Sequence, residues 1–283
     1  MPGLSAIVLS FNRRDALRST LRHLLDTPAI DEIIVVDNAS SDSSADAARD
    51  LLGTRGRVIA LSSNTGVAAF NTAAAAATGD LLLILDDDSW PDPASLDHAI
   101  AALHADPRAA AVALSPKHPR TLHLEWPHAH SPSDTFPMMG CGNLVRAEAW
   151  SHAGGYEPSY FLYRNDADLA LTLLGLGRRV LFHPQWIVWH DSPAAASKSD
   201  RWLRLATRNW VWMARRHGRG FWKWAGILLG FAKAMIHAGQ DSARTQLVAD
   251  GLREGLYSAP PPCPARPNGR WWRDLVLTQL RRH

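Results

Sequence analysis

The chain has 283 residues, 46% of them hydrophobic, and a formal net charge of +3, which fits an ordinary globular protein of one large domain or one domain with an appendage. Its two cysteines, Cys141 and Cys263, are far apart and lack CxxC spacing, which argues against a disulfide framework or a cysteine metal site and makes both read as bystanders. The small net charge hides an asymmetry: residues 1–197 carry 14 Lys and Arg against 22 Asp and Glu, whereas 198–283 carry 16 against 5, a balance of −8 and +11 that suggests two physical jobs.

The N-terminal stretch MPGLSAIVLSFNRRDALRS has a short apolar run with no basic residues before it, unlike a secretory signal, so the chain is expected in the cytoplasm. Residues 5–10 read as a first strand, and the helical spacing of Ala16, Leu17, Leu21, Leu24 and Leu25 predicts a helix after it. EIIVVD (32–37) reads as a second strand, with SSDSSADAARDLL supplying caps and then a helix. RVIALS (57–62) is a third, followed by an alanine-rich helix closed by Gly79. DLLLIL (80–85) is a fourth. Aliphatic strands alternating with helices predict an α/β fold whose parallel sheet is covered on both faces, with ligands at the strands' carboxyl ends. Three candidate sites lie there: Ser10-Phe11-Asn12, Asp37-Asn38 and Asp86-Asp87-Asp88.

Beyond Pro93 the pattern predicts a helix (94–105), a strand (110–114) and a loop or edge segment rich in Pro and His (115–137). A short helix follows in RNDADLALTLLGLG, capped by Asn165 or Asp166 and ended by Gly175 or Gly177. Two strands, 179–183 and 186–190, close the acidic region. From Asp200 onward the sequence predicts helices, interrupted at Gly218 and Gly220, then a Pro-rich break (258–269) and a last helix carrying Trp271, Trp272 and Arg273. No internal repeat is evident.

The run LLLILDDDSWPDP places three carboxylates at the mouth of a core with no basic residue nearby in sequence. Like charges that lose hydration need a compensating cation. In an extended segment Asp86 and Asp88 share a side and Asp87 takes the other, and two such carboxylates suit Mg²⁺ or Mn²⁺ bound together with substrate phosphates. As plain structure, the same residues would be cap and turn positions before Pro91-Asp92-Pro93.

Taken in order, AIVLSFNRRDALRSTLRHLL, IIVVDNASSDSS, NTGVAAFN, LLLILDDDSWPDP and MGCGNLVRAEAWSHAGGYEPSYFLYRNDADLALTLLGLGRRVLFHPQWIVWH resemble the successive motifs of family 2 glycosyltransferases. The likeness covers residues 4–190 and is greatest to bacterial members resembling rhamnosyltransferases and galactofuranosyltransferases. It implies a GT-A fold, Rossmann-like with a mostly parallel sheet flanked by helices, to which the sequence adds a C-terminal helical extension. It also implies a nucleotide-diphosphate-sugar donor (UDP- or dTDP-linked), a divalent cation (Mn²⁺ or Mg²⁺) and inversion at the anomeric carbon.

By the same resemblance, Ser10, Phe11 and Asn12 form the loop that holds the nucleotide base, and Asp37 with Asn38 contacts base or ribose. Asn64 and Gly66 match an N-x-G segment in which glycine lets the backbone approach the nucleotide. Asp86 and Asp87 belong to the donor side, with Asp86 facing ribose or metal-bound water; Asp86, Asp88 and His190 form the metal set. Imidazole suits Mn²⁺ better than Mg²⁺. Inverting transfer needs a base for the acceptor hydroxyl, and the family's acidic pair opening a short helix reads here Asn165-Asp166-Ala167-Asp168. Asp166 is therefore the expected base, with Asn165 and Asp168 on the acceptor side. Neutral Asn165 removes a like charge that would otherwise raise the Asp166 pKa.

The tail, 198–283, holds seven of the twelve tryptophans, interleaved with Arg, Lys and aliphatics. Its best apolar run is broken by Lys233 and is too short to span a bilayer. Basic amphipathic helices of this kind lie on anionic membranes; a helix packed on the catalytic domain, or a nucleic-acid groove, would share the composition. With the resemblance, the expectation is a catalytic domain (1–197) and a membrane-surface extension (198–283), with no nucleic-acid partner. Such an enzyme would act at the inner membrane face on a hydroxyl of a cell-envelope glycan or lipid-linked acceptor. A nucleotidyltransferase would carry a glycine-rich phosphate loop after the first strand, which LSFNRRDAL lacks, and an inactive nucleotide-sugar adaptor is suggested only by Asn165.

Overall fold

Eight strands form a single sheet in the computed structural model, which describes residues 3–126, 129–137, 139–192, 198–265 and 269–280. The parallel part comprises β1 (Leu4–Ser10), β2 (Glu32–Asp37), β3 (Gly56–Ala60) and β4 (Leu81–Asp86), connected by α1 (Arg14–Leu25), α2 (Ser44–Leu52) and α3 (Ala68–Ala76). The chain then forms β5 (Ser89–Pro91), α4 (Pro93–Ala105), β6 (Ala109–Lys117), β7 (Asn143–Arg146), α5 (Ala147–Ala153), α6 (Asn165–Gly175) and β8 (Arg179–His190). The sheet order is β3-β2-β1-β4-β7-β6-β8-β5, with β5 and β7 running against the others.

The aliphatic runs of β1, β2 and β4 are buried on both faces because alternate side chains enter two cores. Ala6, Val8, Ile33, Val35, Leu83 and Leu85 pack with α1, α2 and α4. Ile7, Ile34, Val36, Leu82 and Ile84 pack with α3, α5 and α6.

The alanine-rich helix ends at Ala76 rather than at Gly79, and α6 is capped by Arg164 rather than by Asn165 or Asp166; two further expectations change near the site. The aspartate run is not extended: β4 ends at Asp86, Asp87 and Asp88 form a tight turn, and an unforeseen edge strand, β5, starts at Ser89. The Ser89 hydroxyl ties this turn by donating to the Asp86 carbonyl at 3.2 Å and accepting from its N–H at 3.0 Å. The two strands expected at 179–183 and 186–190 are one, β8, whose register against β6 slips from Ala113–Phe182 to Ser115–Ile187. The slip falls at Pro184, which cannot donate to a ladder.

Four helices complete the chain: α7 (Asp200–His217), α8 (Gly220–Ala238), α9 (Ser242–Tyr257) and α10 (Arg270–Leu280). The expected boundary at 197/198 falls beside 193–197, outside the described residues, as does 266–268 of the Pro-rich break. Trp210, Trp212 and Trp272 are 4%, 6% and 0% exposed and belong to the same apolar cluster as Ile34 and Ile84. The aromatic content of α7 and α10 is therefore spent largely on burial, with Trp210 against Trp272 and α8, and Trp212 against Tyr160. Trp224 of α8, at 54% exposed, is not.

Candidate active site

A recess of about 200 Å³ opens where the carboxyl ends of β1 and β4 meet the starts of α3 and α6; Leu9, Asp86, Cys141, Tyr156, Asn165 and Asp166 are among its walls. Asp86 follows Leu82 and Ile84 onto the α6 face of β4. Asp86 is itself exposed at the recess mouth; the protein packed around it and the neighbouring Asp88 raise its pKa, against the pull of His190 and Arg13.

The carboxylate run does have a cation within the chain. Arg13, just past the end of β1, places Nη1 2.9 Å from Asp87 Oδ1 and Nη2 2.8 Å from Asp88 Oδ2. Both aspartates are buried. Burial raises Asp87 to about 7, opposed by Arg13. Burial also works upward on Asp88, but His190 and Arg13 prevail and hold it below the ordinary carboxylate value.

A divalent cation fits a neighbouring set of donors. One ligand atom each from Asp86, Cys141 and His190 lie within 4.8 Å of one another. His190 Nδ1 is 2.5 Å from Glu125 Oε1, and Nε2 is 3.3 Å from Asp88 Oδ1. A carboxylate on the far ring nitrogen is the usual device for orienting a ligating histidine. Burial would lower the His190 pKa, but Cys141, Asp88 and Glu125 outweigh it and raise it. Burial pushes the Cys141 thiol up to about 12, with His190 opposing. Asp88, expected in the metal set with Asp86 and His190, already has Arg13 on one oxygen and His190 near the other; the oxygen donor clustered with His190 and Cys141 is Asp86. Cys141, read from sequence as a bystander, lines the site.

Asp166 faces the same recess from the first turn of α6. Its Oδ1 accepts a hydrogen bond from the Tyr156 hydroxyl at 2.5 Å. Burial raises its pKa to about 7; the Tyr156 bond opposes this and the Asp86 charge adds to it. Neutral Asn165 therefore does not leave Asp166 an ordinary carboxylate. Asn165 is buried and lines the recess. Asp168 does not line it: two residues on and so on the other side of the helix, it accepts from Tyr160 Oη at 2.8 Å and Arg216 Nη1 at 2.9 Å, and lies 2.9 Å from His217 Nε2. These partners make it a buried tie to α7 rather than an acceptor-facing group.

The other strand-end residues divide in two groups. Ser10 and Asp37 are register neighbours on β1 and β2, and Ser10 Oγ and Asp37 Oδ1 are buried without a hydrogen-bond partner. Such atoms are rare in folded proteins; the other Asp37 oxygen accepts from Ser40 N at 3.0 Å. Phe11, 40% exposed, stands beside them. Asn12, Asn38 and Asn64 instead bind the chain itself. Asn12 Oδ1 accepts from Ser41 N at 2.7 Å; Asn38 takes the Thr65 N–H at 2.8 Å and donates to Gly66 O at 3.1 Å; Asn64 Oδ1 accepts from Gly66 N at 2.9 Å. Gly66 also makes a close contact within the chain. At φ +62° a Cβ there would meet Phe161 O at 1.9 Å, so glycine is required by the loop before α6. That loop is strained, with Phe161, Tyr163 and Arg164 at φ 61°, 70° and 68°, as loops that aim reactive groups often are.

Arg13, Glu125, Cys141 and Tyr156 escaped the sequence reading. The adjacency of β1 and β4 was the available signal for Arg13; nothing local marks the other three.

A mostly parallel sheet with an acidic strand-end turn, orphaned polar atoms at neighbouring strand ends and a carboxylate opening the facing helix define a GT-A glycosyltransferase. Residues 5–171 match the model for glycosyl transferase family 2, and the chain belongs to that family. It is accordingly a glycosyltransferase that uses nucleotide sugars. Among solved structures, a mannosyltransferase from Pyrobaculum calidifontis in complex with GDP-Man and Mn²⁺ is similar over 99% of this chain and 85% of its own, at 20% identity and TM-score 0.64. TarS 1–349 of S. aureus is similar over 90% and 81%, at 13% identity and TM-score 0.68. The same protein in complex with UDP-GlcNAc is similar over 88% and 79%, at 12% identity and TM-score 0.69. No curated protein matches the chain.

Proposed function

We propose that the chain is an inverting, metal-dependent transferase that moves a sugar from a UDP- or dTDP-linked donor to a hydroxyl of a cell-envelope glycan or lipid-linked acceptor. The observation that carries the reading is the placement of Asp86 and Asp166 on the walls of one recess, with Tyr156 fixing Asp166. The order of the sequence motifs favours a member resembling rhamnosyl- and galactofuranosyltransferases.

In this reading the nucleotide lies along the strand ends, where Ser10 Oγ and Asp37 Oδ1 await partners and Phe11 offers a ring. Asn12, Asn38, Asn64 and Gly66 hold the surrounding loops in shape. Asp86 and His190 would hold the cation, which when bound neutralises charge on the departing diphosphate; Arg13 keeps Asp87 and Asp88 in place beside it. Asp166 takes the proton from the acceptor hydroxyl, and a pKa near 7 suits a base that must be both ionised and proton-accepting at neutral pH. Asp166 also borders a second recess of about 130 Å³, lined by Trp126, Met139, Arg164, Trp210 and Leu275, which supports entry of the acceptor from that side.

Peripheral attachment to the inner membrane face belongs to the same proposal. No helix among the described residues is long and apolar enough to cross a membrane. The basic excess of 198–283 and the exposed apolar side of α8 support a surface contact. The test of the whole reading is calorimetry with UDP-, dTDP- and GDP-sugars, with and without Mn²⁺, followed by mass analysis of acceptor panels. Metal-dependent donor binding and transfer, abolished in Asp166→Asn with donor binding kept, is the expected result. Binding without turnover on any acceptor would instead favour an adaptor.

A further inference from the structure

We infer that Cys141 is a ligand of the metal site, so that the cation is held by Asp86, His190 and Cys141 and the site favours a thiophilic divalent ion over Mg²⁺. The three donors come from separate parts of the chain, the end of β4, the segment before β7 and the end of β8, and they converge within 4.8 Å. The histidine is already oriented by Glu125 on Nδ1, the arrangement in which ligating imidazoles are usually held, and this leaves Nε2, 3.3 Å from Asp88 Oδ1, as the ligating nitrogen.

The cysteine is equally pinned. Gly140 is bonded through both its N–H and its carbonyl to the Asn143 side chain. A Cβ at Gly142 would meet Val188 at 2.5 Å, and one at Gly140 would meet the Trp126 ring at 2.8 Å. The backbone on either side of Cys141 is thus packed too closely for the thiol to swing away with its loop. Ligation breaks the S–H bond, forms a sulfur–metal bond and releases the proton to solvent. Three protein donors leave positions open for diphosphate oxygens. A donor set of oxygen, nitrogen and sulfur suits Zn²⁺ or Co²⁺, whereas Mg²⁺ selects oxygen.

The inference rests on the transferase reading only for what the ion does; the test contains no sugar donor, so the two fail separately. The metal-free full-length protein is titrated with Co²⁺ and followed by absorption. A thiolate-to-cobalt charge-transfer band at one equivalent is expected, retained in Cys263→Ser and lost in Cys141→Ser. Zn²⁺ should abolish the band near stoichiometry, and excess Mg²⁺ should leave it. Glu125→Gln should weaken Co²⁺ binding by about 10–100-fold. Cobalt-edge X-ray absorption on the unaltered protein, which needs no variant to fold, should show a sulfur neighbour. Co²⁺ bound with only nitrogen and oxygen neighbours, a band that survives Cys141→Ser, Mg²⁺ competing as well as Zn²⁺, or no Co²⁺ binding would each overturn the assignment.

Discussion

His217 Nε2 of α7 lies 2.9 Å from Asp168 Oδ1 of α6, in a contact where both side chains are buried. Arg216 and Tyr160 complete the cluster, and Arg208 donates to the Ser159 and Tyr160 carbonyls at 3.0 Å. Asn209 Nδ2 adds contacts within 3.0 Å of the carbonyls of Tyr160, Leu162 and Tyr163. The basic helix thus holds the strained loop and first turn that aim Asp166. Asp168→Ala leaves Arg216 buried without its closest carboxylate, and removing one partner of such a pair costs about 3–5 kcal/mol. Urea denaturation should show a loss of that size. Asn209→Ala, if folded, should lower kcat about tenfold or more while the donor KM stays near its original value; equal kcat would remove α7 from the positioning of the base.

With Asp166 as the proposed base, its pKa, raised to about 7, predicts a rate that climbs with pH to a plateau, because only the ionised carboxylate would accept the proton. A cation on Asp86 removes a like charge, so the midpoint under turnover should fall at or below 7. Tyr156→Phe deletes the hydrogen bond that favours the ionised form and should move the midpoint to higher pH. The stability effect has the opposite sense. Asp166 binds its proton more tightly folded than unfolded, where its pKa is roughly 3.9, so its own contribution to stability falls as pH rises from about 4 to 7. The denaturation midpoint of Asp166→Asn should gain on the unaltered protein across that window. A constant gap would show that Asp166 titrates normally.

Much of this site was legible where chemistry follows directly on a periodic element. LLLIL running into DDD fixed Asp86 at the end of a buried strand, and the helical pattern after Asn165 fixed Asp166 at a helix start. What local sequence could not carry were contacts made across the sheet: Arg13 with Asp87 and Asp88, Glu125 with His190, and Cys141 beside Asp86. The alternation argument failed at Asp87 because it assumed an extended chain where Ser89 closes a turn. The Trp and Arg pattern of α7 was ambiguous for a physical reason. A membrane-facing helix and a core helix whose arginines bond loop carbonyls have the same composition, and only partners such as Tyr160 and Glu254, 3.0 Å from Arg208 Nη1, distinguish them.

Gly66→Ala tests the link between the β3–α3 loop and Asp166. The added Cβ would overlap Phe161 O at 1.9 Å in a left-handed backbone conformation, and it would disturb the Val67 N–H to Phe161 O bond of 2.7 Å. Such strain costs about 1–3 kcal/mol even before the clash is relieved. The expected outcome is a lower thermal midpoint together with a drop in kcat, read by calorimetry and a transfer assay. Unchanged turnover in the folded variant would show that the loop before α6 can shift without moving Asp166.

The exposed side of α8 carries the last prediction. Phe221, Trp224, Leu228 and Ile236 are 74%, 54%, 67% and 75% exposed and recur at three, four and eight residues, a helical stripe. Lys223 sits 4.7 Å above the Trp224 ring, and Arg219 is exposed at the helix start, so apolar and cationic groups share this surface. An anionic bilayer would satisfy both, burying the rings at the acyl boundary and placing the cations among the headgroups. Full burial of a side chain of this size is worth roughly 1.5–3 kcal/mol. If half of that is realised, replacing Phe221, Trp224 and Leu228 by Ser should weaken binding to phosphatidylglycerol vesicles by about 40-fold or more. Flotation should also weaken with added salt and be lower on neutral vesicles. Because these side chains point to solvent, turnover on a soluble acceptor and the unfolding midpoint should stay the same. Undiminished flotation of the triple variant would take α8 out of the membrane contact.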